Sequence, residues 1–435
     1  MKPITNISTT ISTGISLLTL LPLAQAADYQ APKSTVVPSE NASAQALNLS
    51  SQQGSLRVGG LDLFPHVAGT VQYDDNLLIG SDAEVEVTKM TLSPGLTIAA
   101  GDISTAFPGS ITLAQIRDLL NFSLVEDTAK PQRFLGIDYT PDLNLYVDDE
   151  QYNNADHIAG MTAGYAFSKL VLGLDQDFRR EAVKSSIVGS LVTIRDYQTH
   201  LRTRYEFNET TSVEVNGTYQ NFSYEDSGLQ GYQEFRNDDW LNRRMGDKLT
   251  LGVGAAFGFL FPSESDDQTY QQLLGRAVYR LSGKISLSAA VGAELREYEA
   301  DHDDTVHPTF DVRGIYQPWA STTFTIEGLR REQPSPFGEA NYTTYGVYLG
   351  ARQLLFNRLY AGLNVGYNNV EYTTLAPGAG SEHTDNFYFA RLRFDYALNP
   401  HWMASVFYTF TENRANPSAF SYDNNIVGGH LAWQF

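Results

Sequence analysis

Nine arginines are spaced so that a two-residue period puts them on the water-facing sides of their segments: Arg202, Arg204, Arg276, Arg280, Arg313, Arg331, Arg352, Arg391 and Arg393. Guanidinium groups gathered around a narrow aqueous passage create a field that selects anionic solutes or an anionic polymer. The same faces carry Glu206, Asp311, Glu327 and Asp395. Charge-assisted pairing with such carboxylates is the commoner fate of an enclosed arginine. Tyr360 and Phe407 also fall on these faces. Their rings offer either a sliding surface for sugars or ordinary packing.

Acidic clusters at Asp148-Asp149-Glu150, Asp266-Asp267 and Asp301-His302-Asp303-Asp304 resemble hard-cation ligand sets. None has the spacing and glycine of a calcium loop, so solvated loop charge is the expectation. Any cation held there would bridge lipopolysaccharide phosphates. A further pair, Tyr73-Asp74-Asp75-Asn76 and Tyr422-Asp423-Asn424-Asn425, lies near the two ends of the regular part of the chain. It is either a polar cluster that binds a cation or sugar, or Asx-type turn chemistry, and the second is favoured. His200 shares a face with Asp196, but four residues along a strand separate them by roughly 13 Å. There is no G-x-S-x-G elbow, no H-E-x-x-H and no phosphate loop. With 0 cysteines there is no thiolate site either. The expectation is a protein that is not an enzyme and uses no cofactor or metal.

The elements that carry these residues alternate. Tyr197, Thr199, Leu201, Thr203, Tyr205 and Phe207 interleave with Asp196, Gln198, His200, Arg202, Arg204 and Glu206. Leu249 to Phe259, Ile285 to Leu295 and Ala390 to Tyr396 repeat the pattern. One face suits lipid and the other water. A soluble sandwich also alternates, so length must decide. These runs reach about 12 to 16 residues, against about 5 or 6 for soluble strands and about 9 to 11 for a tilted strand in lipid. Short connections such as Gly246-Asp247, Ser282-Gly283 and Asn357-Arg358 alternate with longer ones near 180–193, 262–268, 375–384 and 415–421. That asymmetry belongs to outer-membrane barrels. Aromatics at segment ends, Tyr205/Phe207, Tyr316/Trp319, Trp402, Tyr146 and Tyr372, suit a headgroup girdle.

The predicted strands are 61–75, 84–99, 134–148, 156–167, 170–180, 194–207, 211–224, 233–245, 248–261, 268–281, 284–299, 306–317, 321–333, 341–356, 359–373, 384–398, 401–413 and 422–435. The expected fold is all-β: a transmembrane up-and-down antiparallel β-barrel of about 18 strands in the outer membrane, with both termini periplasmic.

The ends agree with export. Lys2 precedes an apolar run from Ile15 to Leu23 that closes on Ala24-Gln25-Ala26, so residues 1–26 are the expected signal peptide. Residues 27–60, rich in Ser, Ala, Gln and Pro, are expected to be a flexible periplasmic leader, and 61–435 the barrel. Residues 101–133 interrupt the pattern: Leu113, Ile116, Leu119 and Leu120 suggest a short periplasmic or plugging helix, with an unrecognised strand pair the alternative. A formal charge of -20 argues against nucleic acid as a partner. Val427, Gly429, Leu431, Trp433 and the terminal Phe435 resemble the β-signal read by the barrel-assembly machinery, a transient partner beside outer-membrane lipid and lipopolysaccharide.

The segments LDLFPHVAGTVQYDDNLL, KMTLSPGLTIAA and YDNNIVGGHLAWQF resemble the outer-membrane β-barrel porin family associated with exopolysaccharide synthesis and export loci. The similarity spans nearly the whole barrel, with 101–133 matching least. The resemblance implies a porin-like conduit for secretion of an exopolysaccharide, working with periplasmic and inner-membrane export partners. A general or solute-selective diffusion porin is the alternative, and a barrel enzyme or adhesin a more distant one.

Overall fold

The computed structural model describes residues 56–79, 84–101, 133–147, 149–186, 188, 190–225, 228–299, 304–337, 340–374, 383–416 and 418–434. The expected signal peptide, most of the expected leader, the 102–132 segment, Asp148, Asp301 to Asp303 and Phe435 lie outside these residues.

A short strand, β1 (Leu56–Val58), precedes eighteen long ones. They are β2 (Leu61–Asp74), β3 (Val87–Gly101), β4 (Arg133–Tyr146), β5 (Asn154–Ala166), β6 (Leu170–Ser185) and β7 (Ser190–Asn208). Next come β8 (Thr211–Tyr224), β9 (Tyr232–Met245), β10 (Leu249–Pro262), β11 (Gln268–Ser282), β12 (Ile285–Tyr298) and β13 (Thr305–Trp319). The last six are β14 (Thr322–Pro334), β15 (Ala340–Leu355), β16 (Leu359–Thr374), β17 (His383–Ala397), β18 (Trp402–Asn416) and β19 (Tyr422–Gln434). Each pairs antiparallel with its sequence neighbours, and β19 closes on β2 from Ile426↔Asp74 to Gln434↔His66. Closure removes both sheet edges, which hydrocarbon would not tolerate. All eighteen expected strands are present. The end of the expected leader differs: β1 pairs with β2 through Val58↔Leu61, turning back at Gly59, whose φ of 63° favours glycine.

Alternation decides what each face meets. Val71, Leu92, Leu145, Leu201, Val253, Val291, Ile326, Val347, Val406 and Leu431 stand outward and exposed. The opposite face carries most of the charge. This apolar outer belt around a closed sheet, with polar residues inside, is the arrangement that lipid on the outside and water on the inside require. Tyr205, Phe207, Tyr316, Trp319 and Trp402 are exposed beside the short turns, as a periplasmic girdle needs. Phe356 joins them in the three-residue turn between Leu355 and Leu359, where both Phe356 and Asn357 have positive φ. Tyr146 and Tyr372 do not: both point inward and are buried, because their even-numbered positions share the lumen face with Asn144 and Asn368.

Candidate functional site: the lumen and its extracellular cap

All nine arginines singled out from the sequence lie on the lumen side, since face follows directly from position parity along a strand. Their partners are specific. Arg276 on β11 reaches Glu214 on β8 (2.5 Å) and Asn242 on β9 (2.9 Å), and stacks over Trp240 at 4.5 Å. Arg202 faces Asp175 at 3.2 Å, Arg204 faces Glu206 at 3.5 Å and Arg331 faces Asp311 at 3.4 Å. Arg393 bonds Asp395 (2.5 Å) and Ser405 (3.0 Å). Arg313 stands opposite Glu327 in the ladder. Arg280 shares the lumen face of β11, opposite Ser286. The two aromatics weighed as sliding surfaces are covered by cations: Arg352 stacks over Tyr360 at 4.5 Å and Arg391 over Phe407 at 5.3 Å. Their faces are spent on cation–π contact.

Further charged residues complete the network. Arg179 bonds Asp196 (2.7 Å). Arg236 bonds Gln272 (2.9 Å), and Arg296 bonds Glu294 (2.8 Å) and Gln268 (2.9 Å). These follow the same parity rule and were detectable by it. His200 lies 3.0 Å from Thr218 Oγ1, and Asp196 is committed to Arg179, Gln198 and Gln220, so the pair forms no catalytic dyad. Among the described residues, no cluster of His, Cys, Asp and Glu is arranged to hold a metal ion.

The lumen changes character along its axis. Toward the periplasm, Ser288, Ala290, Arg352, Tyr360 and Gly362 are half-buried and Asn364 is exposed. Toward the outside, Gln220, Gln268, Arg296 and Tyr270 are almost wholly buried. Inward-leaning chain causes this. The connection expected over 180–193 is mostly strand, because the alternation of Val183, Val192 and Ile194 runs on beyond the membrane. These residues pack with Phe222, Tyr232 and Leu260 in one apolar cluster. At the hairpin tip Lys184 Nζ reaches Asp74, the Asn76 carbonyl (3.2 Å) and Asn424 Oδ1 (3.2 Å), while Ser186 bonds Tyr422.

A second hairpin leans in from β14 and β15. The ladder between β13 and β14 ends at Phe310↔Arg330, which frees the outer part of β14 to rotate. Glu332, which alternation places on the outer face with Phe324 and Ile326, therefore turns toward Tyr298 (3.4 Å), Arg296 (3.6 Å) and Asn341 (3.2 Å). Asn341 also bonds Gln268 at 3.1 Å, and Gln230 ties down the tip through the carbonyls of Ser335 (2.6 Å) and Pro336 (2.8 Å). Between β2 and β3, Ile79 packs on Phe387, Phe389 and Tyr422, and Leu77 packs on Val87 and Tyr146. Three inward segments thus cap the mouth.

The two Asx-rich motifs meet as the closing strands require. Asn425 donates from its backbone and its amide to the Asp75 carboxylate (2.6 and 2.7 Å), and Asn424 bonds Asp74 (2.7 Å). Asn76 N–H also bonds Asp74 at 3.1 Å, the local turn chemistry expected. Their hydrogen-bonding capacity is used on each other and on Lys184, forming a seam lock. Of the β-signal residues, Val427, Gly429, Leu431 and Trp433 share the lipid-facing side of β19, which is where alternation places them.

The closed barrel, its apolar belt and its polar interior define a transmembrane β-barrel of the outer-membrane type. Neither a family model nor a curated protein sequence matches the chain. Solved structures do. The chain is similar to OpdO of Pseudomonas aeruginosa (11% identity, TM-score 0.46, covering 87% of this chain and 98% of that one). It is similar also to OccK2 (OpdF) of Pseudomonas aeruginosa in complex with glucuronate (11%, TM-score 0.46, 88% and 100%). A third is OccAB3 of Acinetobacter baumannii (10%, TM-score 0.45, 86% and 99%).

Proposed function

We propose that this protein is a gated diffusion channel for small zwitterionic solutes. The observation that carries this is the juxtaposition of a vestibule whose lining is half-buried to exposed with a mouth capped by the chain's own hairpins. On β15 to β17 the vestibule presents Arg352, Arg391 and Arg393, with Asp395 the ion-pair partner of Arg393. Arg352 spends its charge on the ring of Tyr360 rather than on a carboxylate at salt-bridge distance. The wall opposite, β4 to β7, carries Asp138, Asp142, Asp156, Asp175, Asp177, Glu181 and Asp196 against Arg179, Arg202 and Arg204. Opposed charge across a narrow passage orients a dipolar solute and favours small ions over bulky ones. Planar-bilayer recordings test this: brief openings whose current is reduced by a small zwitterionic solute are expected. A steadily open, unselective pore would refute it.

Secretion of an exopolysaccharide, with periplasmic export partners, is the reading the family resemblance supports. It requires the partners to displace all three cap segments at once, because a polymer occupies the whole lumen. Deleting the gene decides between them: lost extracellular polysaccharide favours secretion, and unchanged polysaccharide with reduced uptake of small zwitterions favours diffusion. Lipopolysaccharide around the belt and the assembly machinery at β19 are proposed partners in either case.

A further inference from the structure

One stretch of the outer face departs from the apolar belt. On β9 the even-numbered Arg236, Trp240 and Asn242 are buried in the lumen, so Phe235, Asn237, Asp239, Leu241 and Arg243 stand outward. Asp239 lies midway along this 14-residue strand. Other charged residues of the outer face, such as Glu297, Glu371 and Arg414, lie near the extracellular ends of their strands. A lipid-facing charge costs most at the bilayer midplane and least near its surfaces. Among the described residues, the Asp239 carboxylate accepts one hydrogen bond, from Asn237 Nδ2 to Oδ1 at 3.1 Å, and the same amide donates to the Asn216 carbonyl at 2.9 Å. Asp239 Oδ2 and Asn237 Oδ1 are left as acceptors without a donor. Acyl chains have none to offer.

The neighbouring strands are small on one rung and polar on another. Gly217 of β8 pairs with Asn237 and Ala255 of β10 with Asp239. A Cβ added to Gly217 would meet nothing within 4 Å. On β7, Thr199 and Thr203 stand outward on either side of Leu201, the rung partner of Gly217. Neither hydroxyl has a hydrogen-bond partner among the described residues. Donors thus lie on β7, acceptors on β9 and a residue without a side chain between them on β8. Two barrels inserted in the same direction can be related by a two-fold along the membrane normal. When that axis passes over β8, β9 of each copy faces β7 of the other, and the surface is complementary to itself.

We propose that the outer face of β7 to β9 is a dimer interface, in which Asp239 and Asn237 of one copy accept hydrogen bonds from Thr199 and Thr203 of a second copy across Gly217. Small residues at the crossing let the two walls approach, as they do between membrane helices. Lipid in the same place would leave both acceptors without a donor.

The test uses the full barrel in phosphatidylcholine bilayers. The chain has 0 cysteines, so Gly217→Cys reports the axis and Leu392→Cys, outward on β17 across the barrel, reports random collision. Copper phenanthroline should join Gly217→Cys barrels into disulfide dimers far faster than Leu392→Cys barrels. Asp239→Leu/Asn237→Leu should raise the dimer dissociation constant, read by single-molecule photobleaching on dilution in lipid, at least about tenfold. Thr199→Val/Thr203→Val, which removes the donors at nearly constant shape, should do the same and bring the Gly217→Cys rate down to that of Leu392→Cys. Conductance per barrel should not change. Barrels that are monomeric at every dilution, equal cross-linking at the two positions, dimers that survive both double variants, or a trimer, which a two-fold cannot build, would each overturn the interface. None of these results bears on the gated channel.

Discussion

Replacing Lys184 with methionine is the most direct perturbation of the cap. The ammonium is buried against Asp74, with side-chain exposures of 7% and 2%. Removing one member of a buried pair costs about 3–5 kcal/mol, chiefly by stranding the remaining charge. Here Asp74 retains two donors, Asn76 N–H and the Asn424 amide. We therefore take about 2–3 kcal/mol as the loss, below the full range for a stripped partner. The apolar cluster around Val183 and Val192 is untouched, so the hairpin remains packed at its base.

If the hairpin's contact with the seam holds the closed state, that loss shifts the closed-to-open ratio about 30- to 150-fold. Single-channel recording measures the ratio from dwell times. The Lys184→Met barrel should open far more often at an unchanged unitary conductance, because the vestibule arginines are unaltered. An unchanged ratio in a barrel that still shows the heat-modifiable mobility of a folded sheet would refute the latch. An arginine at 184 should restore closure only in part, since the Asp74–Asn424 niche is fitted to a compact ammonium.

Replacing Arg352 and Arg393 together with glutamine removes two positive charges from the vestibule and should shift the reversal potential in a salt gradient toward cation preference. Gly95→Ala should lower stability by about 1–3 kcal/mol through its collision with His66, measured as the urea midpoint of the refolded barrel. Glu225, in the exposed loop after β8, has its carboxyl held below the usual range by Arg180 and then Arg195. Its folded-state pKa is depressed, so the link it provides is present above its ordinary value near 4.5 and weakens as pH falls through the folded value. A spin label at Val188→Cys should gain mobility on acidification, and Glu225→Gln should abolish that transition. Asn341→Ala should release the β14–β15 hairpin from Gln268 and raise open probability by less than Lys184→Met does, since no charge is stranded.

The strand count and the membrane face were legible because both are properties of period. Alternation fixes which side of a strand each residue occupies, so every one of the nine arginines could be placed in the lumen without knowing any neighbour. Segment length fixed the membrane, and loop asymmetry fixed the orientation. Tyr146 and Tyr372 lie at strand ends, but their parity puts them inside, so proximity to an end does not by itself mark a girdle residue.

What the sequence by itself determined was thus local and periodic: eighteen strands, two faces, and a barrel closed by its first and last long strands. What only the tertiary structure decided was who meets whom. Lys184 and Asp74 are separated by 110 residues, Gln268 and Asn341 by 73, and Arg276 and Glu214 by 62. No period encodes such pairings. The inward lean of two hairpins and the rotation of Glu332 off its expected face arise where a ladder stops. A ladder stops for want of a donor or a neighbour, and that depends on the strand alongside as much as on the strand itself.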